Sequence, residues 1–229
     1  WPHFLELLYR KMTLSAAALS RLYTATSEKT LAAWQAAPDC GEPMRQAYYD
    51  PHKLALASGI QPALSSAGSA LLAELTLLTD GDERADIMPP AGLHFTFLPF
   101  TLPLYDDEHQ PDDLAPLQAP WQKWHRQPLN IEALRLVALP SQLLLAGVAD
   151  EKSIQARQAL CEALLASPWR DKLMARHRNA PLPPLFWHTT LLRYRAQYLP
   201  LPIRHFFAQH QHQRYGAVGG TLTLAQVNY

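Results

Sequence analysis

The chain has 229 residues, enough for one or two domains with a sizeable core, and its 48 % hydrophobic content excludes wholesale disorder. Twenty basic residues balance twenty acidic ones, which disfavours a non-specific nucleic-acid coat protein or a membrane-surface binder, since both need a basic excess. Glycine occurs only nine times, without GxGxxG or GxxxxGK[ST], so the sequence supports neither a dinucleotide-binding nor an NTP-binding loop.

The two cysteines and the hydropathy pattern predict the compartment. Cys40 and Cys161 lie far apart and form no CxxC pair, as is typical of reduced thiols. No apolar run reaches the roughly 18 residues of a membrane span, and residues 1–10 lack the basic start and apolar core of a signal peptide. We therefore expect a cytoplasmic protein without a membrane partner.

Residues 1–45 are predicted to form a helical N-terminal extension. Apolar residues follow three- and four-residue spacing from Leu5 to Leu19, and a second helical run begins at Ser27. Glycine and proline near residue 45 then mark a boundary. The predicted second domain spans residues 46–229.

The first half of this second domain reads as strand, helix and strand. A short strand is predicted over 53–60, a helix from Pro62 to Thr79, and a strand from Leu93 to Phe100. The stretch 101–128 holds five prolines and an acidic cluster, which indicates a flexible, solvated loop with a short helix near Trp121.

The second half has a similar order of elements and begins with a hairpin. Together the halves predict an α+β fold with two antiparallel sheets. The predicted elements are a hairpin of strands 131–137 and 142–148, a helix capped by Asp150 and ending near Leu165, a strand over 185–194, a helix over 203–212 and a closing strand over 221–229.

Two His-x-Thr triplets lie inside two strongly apolar predicted strands. They are His94-Phe95-Thr96 in the first half and His188-Thr189-Thr190 in the second. Because alternate side chains of a strand share a face, each triplet places an imidazole and a hydroxyl about 7 Å apart on one face. Two such strands side by side would surround one cleft with two imidazoles and two hydroxyls.

That set of groups suits phosphodiester chemistry. A neutral imidazole can take a proton from the attacking hydroxyl or water, and a protonated imidazole can give one to the leaving oxygen. The hydroxyls of Thr96 and Thr190 can donate to the non-bridging phosphate oxygens, where charge grows in the transition state. The sequence does not say which histidine is the acid. This chemistry needs neither a metal ion nor a cofactor, so none is predicted.

The two motifs resemble the signature of the two-histidine (2H) phosphoesterase superfamily, which includes the LigT-like RNA 2′,3′-cyclic phosphodiesterases. That signature is H-x-[ST]-hydrophobic, once per lobe, and here it is supplied by LHFTFLPF and FWHTTLLRY. The resemblance covers residues from about 50 to 229. It implies a bilobal fold in which two antiparallel sheets line a central groove with helices outside, and metal-independent hydrolysis, ligation or transesterification of 2′-5′ or 2′,3′-cyclic phosphate bonds. The N-terminal extension and the loop after the first motif depart from the pattern.

Three residues after the second motif are further candidates for substrate binding. Tyr194 is expected on the same strand face as His188, where it could stack on a base or bond to phosphate, or simply form a groove wall. A guanidinium of Arg193 or Arg195 near the cleft would match a phosphate in bidentate geometry, although surface charge is the more ordinary role.

The leading hypothesis is a monomeric phosphodiesterase that acts on an RNA end or small nucleotide and needs no obligate protein partner. One alternative is a nucleotide- or RNA-binding module that uses the same groove without turnover. Another is an interaction protein whose helical extension docks a partner. The two intact triplets favour the enzyme over both alternatives.

Overall fold

A computed structural model describes residues 15–111 and 113–228. It has an α+β fold with two antiparallel sheets, so the predicted fold class is confirmed. The helices are α1 (Ala16–Gln35), α2 (Ser66–Leu78), α3 (Ala115–Gln122), α4 (Glu151–Leu165), α5 (Arg170–Arg176) and α6 (Leu201–His210), with a single 3₁₀ turn at Pro90–Gly92. None of the helices in these two described ranges has the length and hydropathy needed to cross a bilayer.

The strands form one three-stranded and one five-stranded sheet. Their bounds are β1 (Ala55–Ile60), β2 (Ala85–Ile87), β3 (Phe95–Pro99), β4 (Pro128–Leu139), β5 (Gln142–Ala149), β6 (Trp187–Tyr194), β7 (Val218–Thr221) and β8 (Thr223–Val227). The smaller sheet has the order β3-β1-β8 and the larger one β2-β6-β5-β4-β7. The two predicted motif strands are β3, at one edge of the smaller sheet, and β6, inside the larger sheet.

Helix α1 runs without interruption through the residue where the sequence predicts a new start. Ser15 is the N-cap, since its hydroxyl accepts from the Ala18 N–H. Ser27 is instead buried in the middle of the helix, where its hydroxyl accepts from the Ala138 N–H of β4. The predicted helical start at Ser27 is therefore wrong. The part of the predicted first helix before residue 15 lies outside the described residues.

The same helix covers an open edge of the larger sheet. Ala138 lies beyond the part of β4 that pairs with β7. Its N–H donates to Ser27, and its carbonyl accepts from the Thr30 hydroxyl at 2.8 Å. Helix α1 thus satisfies edge groups that would otherwise be open to another strand. The predicted domain boundary near residue 45 stays a prediction.

Three smaller elements differ from the sequence prediction. Strand β2 and helix α5 were not expected, and the predicted closing strand is two short strands, β7 and β8, in different sheets. Each of the two unexpected elements is shorter than ten residues, so hydrophobic periodicity gives little signal for it.

The acidic loop after β3 is organised around one carboxylate. Asp106 accepts hydrogen bonds from the backbone N–H groups of Glu108 and His109, from the His109 ring and from Lys53. A backbone bridge between Leu54 and Tyr105 adds two further hydrogen bonds. The predicted flexible loop is therefore a hydrogen-bonded turn in this part.

Candidate functional site

The first motif has the alternation that the sequence predicts. Leu93, Phe95 and Phe97 are at most 3 % exposed and belong to the core. His94 and Thr96, between them, are only half-buried. His94 immediately precedes β3, and Thr96 is its second residue. The strand therefore presents an imidazole and a hydroxyl on its more open face.

Both motif strands contain a β-bulge at the same place. In the pairing of β1 with β3, Gly59 lies opposite Thr96 and Ser58 opposite Leu98, so Phe97 is the extra residue. In the pairing of β5 with β6, the partners step from Thr190 to Leu192, so Leu191 is the extra residue. The hydrophobic residue that follows each threonine is thus bulged and buried. Bulges of this kind re-aim side chains beside functional sites.

A glycine opposite the first motif allows this geometry. A Cβ on Gly59 would lie 2.4 Å from the Phe95 carbonyl oxygen and 3.1 Å from the Thr96 Cα. Both are backbone atoms of the motif strand, so any larger residue would displace that strand. Ser58 supports the bulge, since its hydroxyl accepts from the Leu98 N–H and donates to the Leu98 carbonyl.

The cross-strand partners on β5 show which residues share a face of β6. His188, Thr190 and Arg193 lie opposite Ala146, Leu144 and Gln142. These three β5 residues alternate without a bulge and therefore share one face, so their partners on β6 share it as well. The second motif and Arg193 thus form one surface.

Tyr194 lies on the other face, so the prediction that it shares a face with His188 is wrong. The bulge at Leu191 reverses the alternation that the sequence suggests. Tyr194 is only 4 % exposed, and burial together with the neighbouring Asp82 carboxylate raises its pKa. Arg195 is exposed at the end of β6 and donates to the Glu83 carbonyl, which holds its guanidinium in the loop before β2.

The two motif strands meet although they belong to different sheets. Strands β3 and β6 are in contact, and the Phe97 and Trp187 rings pack with centroids 5.9 Å apart. Trp187 directly precedes His188 in the chain. The charge of a protonated His94 reaches His188 and lowers its pKa, as expected of two like charges in one site. The structure therefore places the strands that carry the two motifs in contact with each other.

The hydrogen bond of His94 decides which of its ring nitrogens is free. Nδ1 lies 2.8 Å from the Gly92 carbonyl oxygen. A carbonyl can only accept, so Nδ1 carries the hydrogen and donates it. Nε2 is the nitrogen left for chemistry, as an acceptor in the neutral ring and a donor in the protonated ring.

The environment of His188 favours the neutral ring. Burial lowers its pKa to about 4, and the positive charges of Arg157, Arg193 and His94 act in the same direction. At neutral pH the ring is therefore unprotonated. Its edge-on neighbour is Phe186, with ring centroids 5.9 Å apart.

Two residues near this surface were missed by the sequence interpretation. The Tyr49 ring lies 5.6 Å from the Arg193 guanidinium carbon. Burial and the neighbouring Asp86 carboxylate raise the pKa of its hydroxyl, and Asp86 is directly opposite Arg193 on β2. No local pattern marks Tyr49, because its place depends on long-range folding. Arg157 lies behind His188, three residues from both Ile154 and Leu160 of the predicted apolar helix face. An arginine on a predicted apolar helix face is the sequence signal that could have identified this residue.

Thr189 gives a prediction about stability. Its side chain is 2 % exposed, and its hydroxyl has no hydrogen-bond partner among residues 15–111 and 113–228. Thr189→Val keeps the β-branched shape and removes this buried, unpaired hydroxyl, so we expect a gain of about 1 kcal/mol in unfolding free energy. Urea denaturation of the variant and the wild type measures this. Equal or lower stability of the variant would show that the hydroxyl has a partner in solution.

In the part of the chain that the structure describes, no three His, Cys, Asp or Glu side chains converge as metal ligands. No protein-family model and no curated protein sequence matches the chain.

Several solved structures are similar in fold. TT0787 of Thermus thermophilus is 16 % identical with a TM-score of 0.48, over 76 % of this chain and 93 % of that one. E. coli LigT complexed with NADP⁺ is 15 % identical with a TM-score of 0.45, over 76 % and 88 %. E. coli LigT complexed with 3′-AMP is 11 % identical with a TM-score of 0.41, over 78 % and 94 %.

Proposed function

We propose that this protein is a metal-independent phosphodiesterase that acts on 2′,3′-cyclic phosphates or 2′-5′ linkages of RNA ends and small nucleotides. The observation that carries the proposal is the contact between the two motif strands, which present His94 and His188, each followed two residues later by a threonine on the same face. The pairing supplies one imidazole for each proton transfer and hydroxyl donors for the phosphate. The proposal keeps the expectation of a cytoplasmic monomer that belongs with the 2H phosphoesterases.

His188 is the proposed base and His94 the proposed acid. In hydrolysis of a 2′,3′-cyclic phosphate, a water oxygen forms a bond to phosphorus while its proton passes to the neutral ring of His188. The bond from phosphorus to one ribose oxygen breaks, and the leaving oxygen takes the proton from Nε2 of a protonated His94. The product is a nucleoside phosphomonoester. The reaction leaves His188 protonated and His94 neutral, so a proton transfer from His188 to His94 through solvent restores the site.

The threonines and one arginine are proposed to hold the phosphate. Thr96 and Thr190 donate from their hydroxyls to the non-bridging oxygens, whose charge grows as the fifth bond to phosphorus forms. Arg193 shares the face of Thr190 and adds a positive charge to this surface. Tyr194 and Arg195 have no part in this proposal, because their partners lie elsewhere.

Turnover without metal tests the proposal. The protein is incubated with 2′,3′-cyclic nucleotides and with 2′-5′ dinucleotides in excess EDTA, and the phosphomonoester or nucleoside released is measured by chromatography. We expect turnover of at least one class at a rate that EDTA does not change. Tight binding of both classes without turnover would contradict the enzyme and support the binding module.

A further inference from the structure

Arg157 of α4 carries a positive charge into the interior behind the candidate site. Its side chain is 4 % exposed. The guanidinium stacks on the Trp187 ring at 3.6 Å and donates to the backbone carbonyls of Phe186, at 3.0 Å, and Pro184. Burial lowers its pKa to about 9, which still leaves it charged at neutral pH. Such a charge is costly to bury and is seldom without a role.

The surroundings of Arg157 do not neutralise this charge. Among residues 15–111 and 113–228, no Asp or Glu forms an ion pair with it. The acidic groups that face it are the Tyr23 hydroxyl and the Cys161 thiol. Burial raises the pKa of Tyr23, and raises that of Cys161 to about 12, so both groups are neutral at pH 7. The positive charge of Arg157 therefore acts on its other neighbours, among them the His188 ring.

The hydrogen bonds and the ring stacking described for the guanidinium are with the segment that leads into the second motif. Pro184, Phe186 and Trp187 directly precede His188, and the Phe186 ring also packs edge-on against the His188 ring. On the far side, Phe186 packs against Tyr23 of α1, with ring centroids 4.9 Å apart. Arg157 is thus bonded to the backbone that fixes the position of His188.

We propose that Arg157 is a positioning residue for the base: it holds His188 in place through this segment, and its buried charge opposes protonation of the His188 ring. The inference rests on the proposed role of His188. The charged groups facing that ring are Arg157 from α4, Arg193 from β6 and His94 at the start of β3, and all three are cationic or become so. With Arg157 in place, the ring stays neutral well into the acidic range and can accept a proton from water.

Removing the charge should make His188 easier to protonate. In Arg157→Gln the remaining repulsion from described residues comes from Arg193 and His94. We expect the pH at which the His188 ring is half-protonated to rise by about one unit. Because the base must be unprotonated, the acidic limb of the kcat/KM profile should move upward by the same amount. Arg157→Lys keeps the charge but loses the planar fork, so it should lower kcat with a smaller shift of the limb.

The titration is followed by NMR of the ¹⁵N-labelled His188 ring in the full chain, assigned with His188→Gln. Arg135→Gln is the matched control. Arg135 is a partly buried arginine of the sheet that contains His188, and it is not among the charges that face the His188 ring. Its His188 midpoint should equal that of the wild type. An unchanged midpoint in Arg157→Gln, or equal shifts in the Gln and Lys variants, would overturn the proposal.

The wild type alone provides a second test that needs no variant to fold. Its His188 ring should be half-protonated below about pH 5, and a midpoint near the usual 6.5 would overturn the inference. This readout is independent of turnover. An inactive protein in which Arg157→Gln still raises the His188 midpoint would contradict the proposed function and leave the electrostatic role of Arg157 supported.

Discussion

His94→Ala and His188→Ala are each expected to lower kcat/KM for a 2′,3′-cyclic nucleotide by about 10²- to 10⁴-fold. Each substitution removes one of the two proton transfers, so the reaction must use water in its place. The double variant should be about as inactive as the worse single variant, because the two rings serve one transition state. Steady-state kinetics in EDTA measures all three.

The control for this pair is a histidine outside the site. His212→Ala changes an exposed residue after α6 and should leave kcat/KM within about twofold of the wild type. Thermal unfolding of every variant shows whether lost activity reflects lost structure. A folded His94→Ala or His188→Ala protein with full activity would eliminate the acid–base pair.

Arg204→Ala is expected to cause the largest loss of stability, about 3–5 kcal/mol. The Arg204 side chain is 6 % exposed, and its guanidinium donates to four backbone carbonyls. Three of these lie at or beyond the end of α1 and one precedes α6; they belong to Trp34, Ala37, Asp39 and Leu199. Removing the cation leaves these acceptors buried without donors and releases the C-terminus of α1 from α6.

Denaturation with guanidinium chloride measures this loss of stability. Two further variants serve as comparisons. Arg204→Lys keeps a charge but cannot span four carbonyls, so it should lose an intermediate amount. Arg178→Ala removes an exposed arginine and should change the unfolding free energy by less than about 0.5 kcal/mol. A loss below about 1 kcal/mol in Arg204→Ala would show that α1 is held mainly by its buried side chains.

The sequence predicts the parts of this fold that depend on local periodicity. Alternation in LHFTFLPF and FWHTTLLRY is enough to place His94 with Thr96 and His188 with Thr190. The strand order and the meeting of β3 with β6 cannot be read from the chain, because they arise from long-range packing such as that of Phe97 on Trp187.

The errors of the sequence interpretation have two physical causes. A bulge changes the face of every later residue of a strand, and nothing in the sequence marks the bulge at Leu191. The sequence interpretation therefore places Tyr194 on the wrong face of β6 and does not assign Arg193 to a face. Buried polar residues also look like surface residues or helix caps. Ser27 and Arg157 both lie on buried helix faces, and only their tertiary partners reveal why.

A crystal structure of the protein with a bound nucleoside 2′- or 3′-monophosphate tests the shared site most directly. We expect one phosphate group to lie within about 3 Å of a ring nitrogen of both His94 and His188, with the hydroxyls of Thr96 and Thr190 donating to its oxygens. The two rings should then be roughly 4 to 8 Å apart. A phosphate bound by only one of the histidines, or seated away from both, would contradict the account.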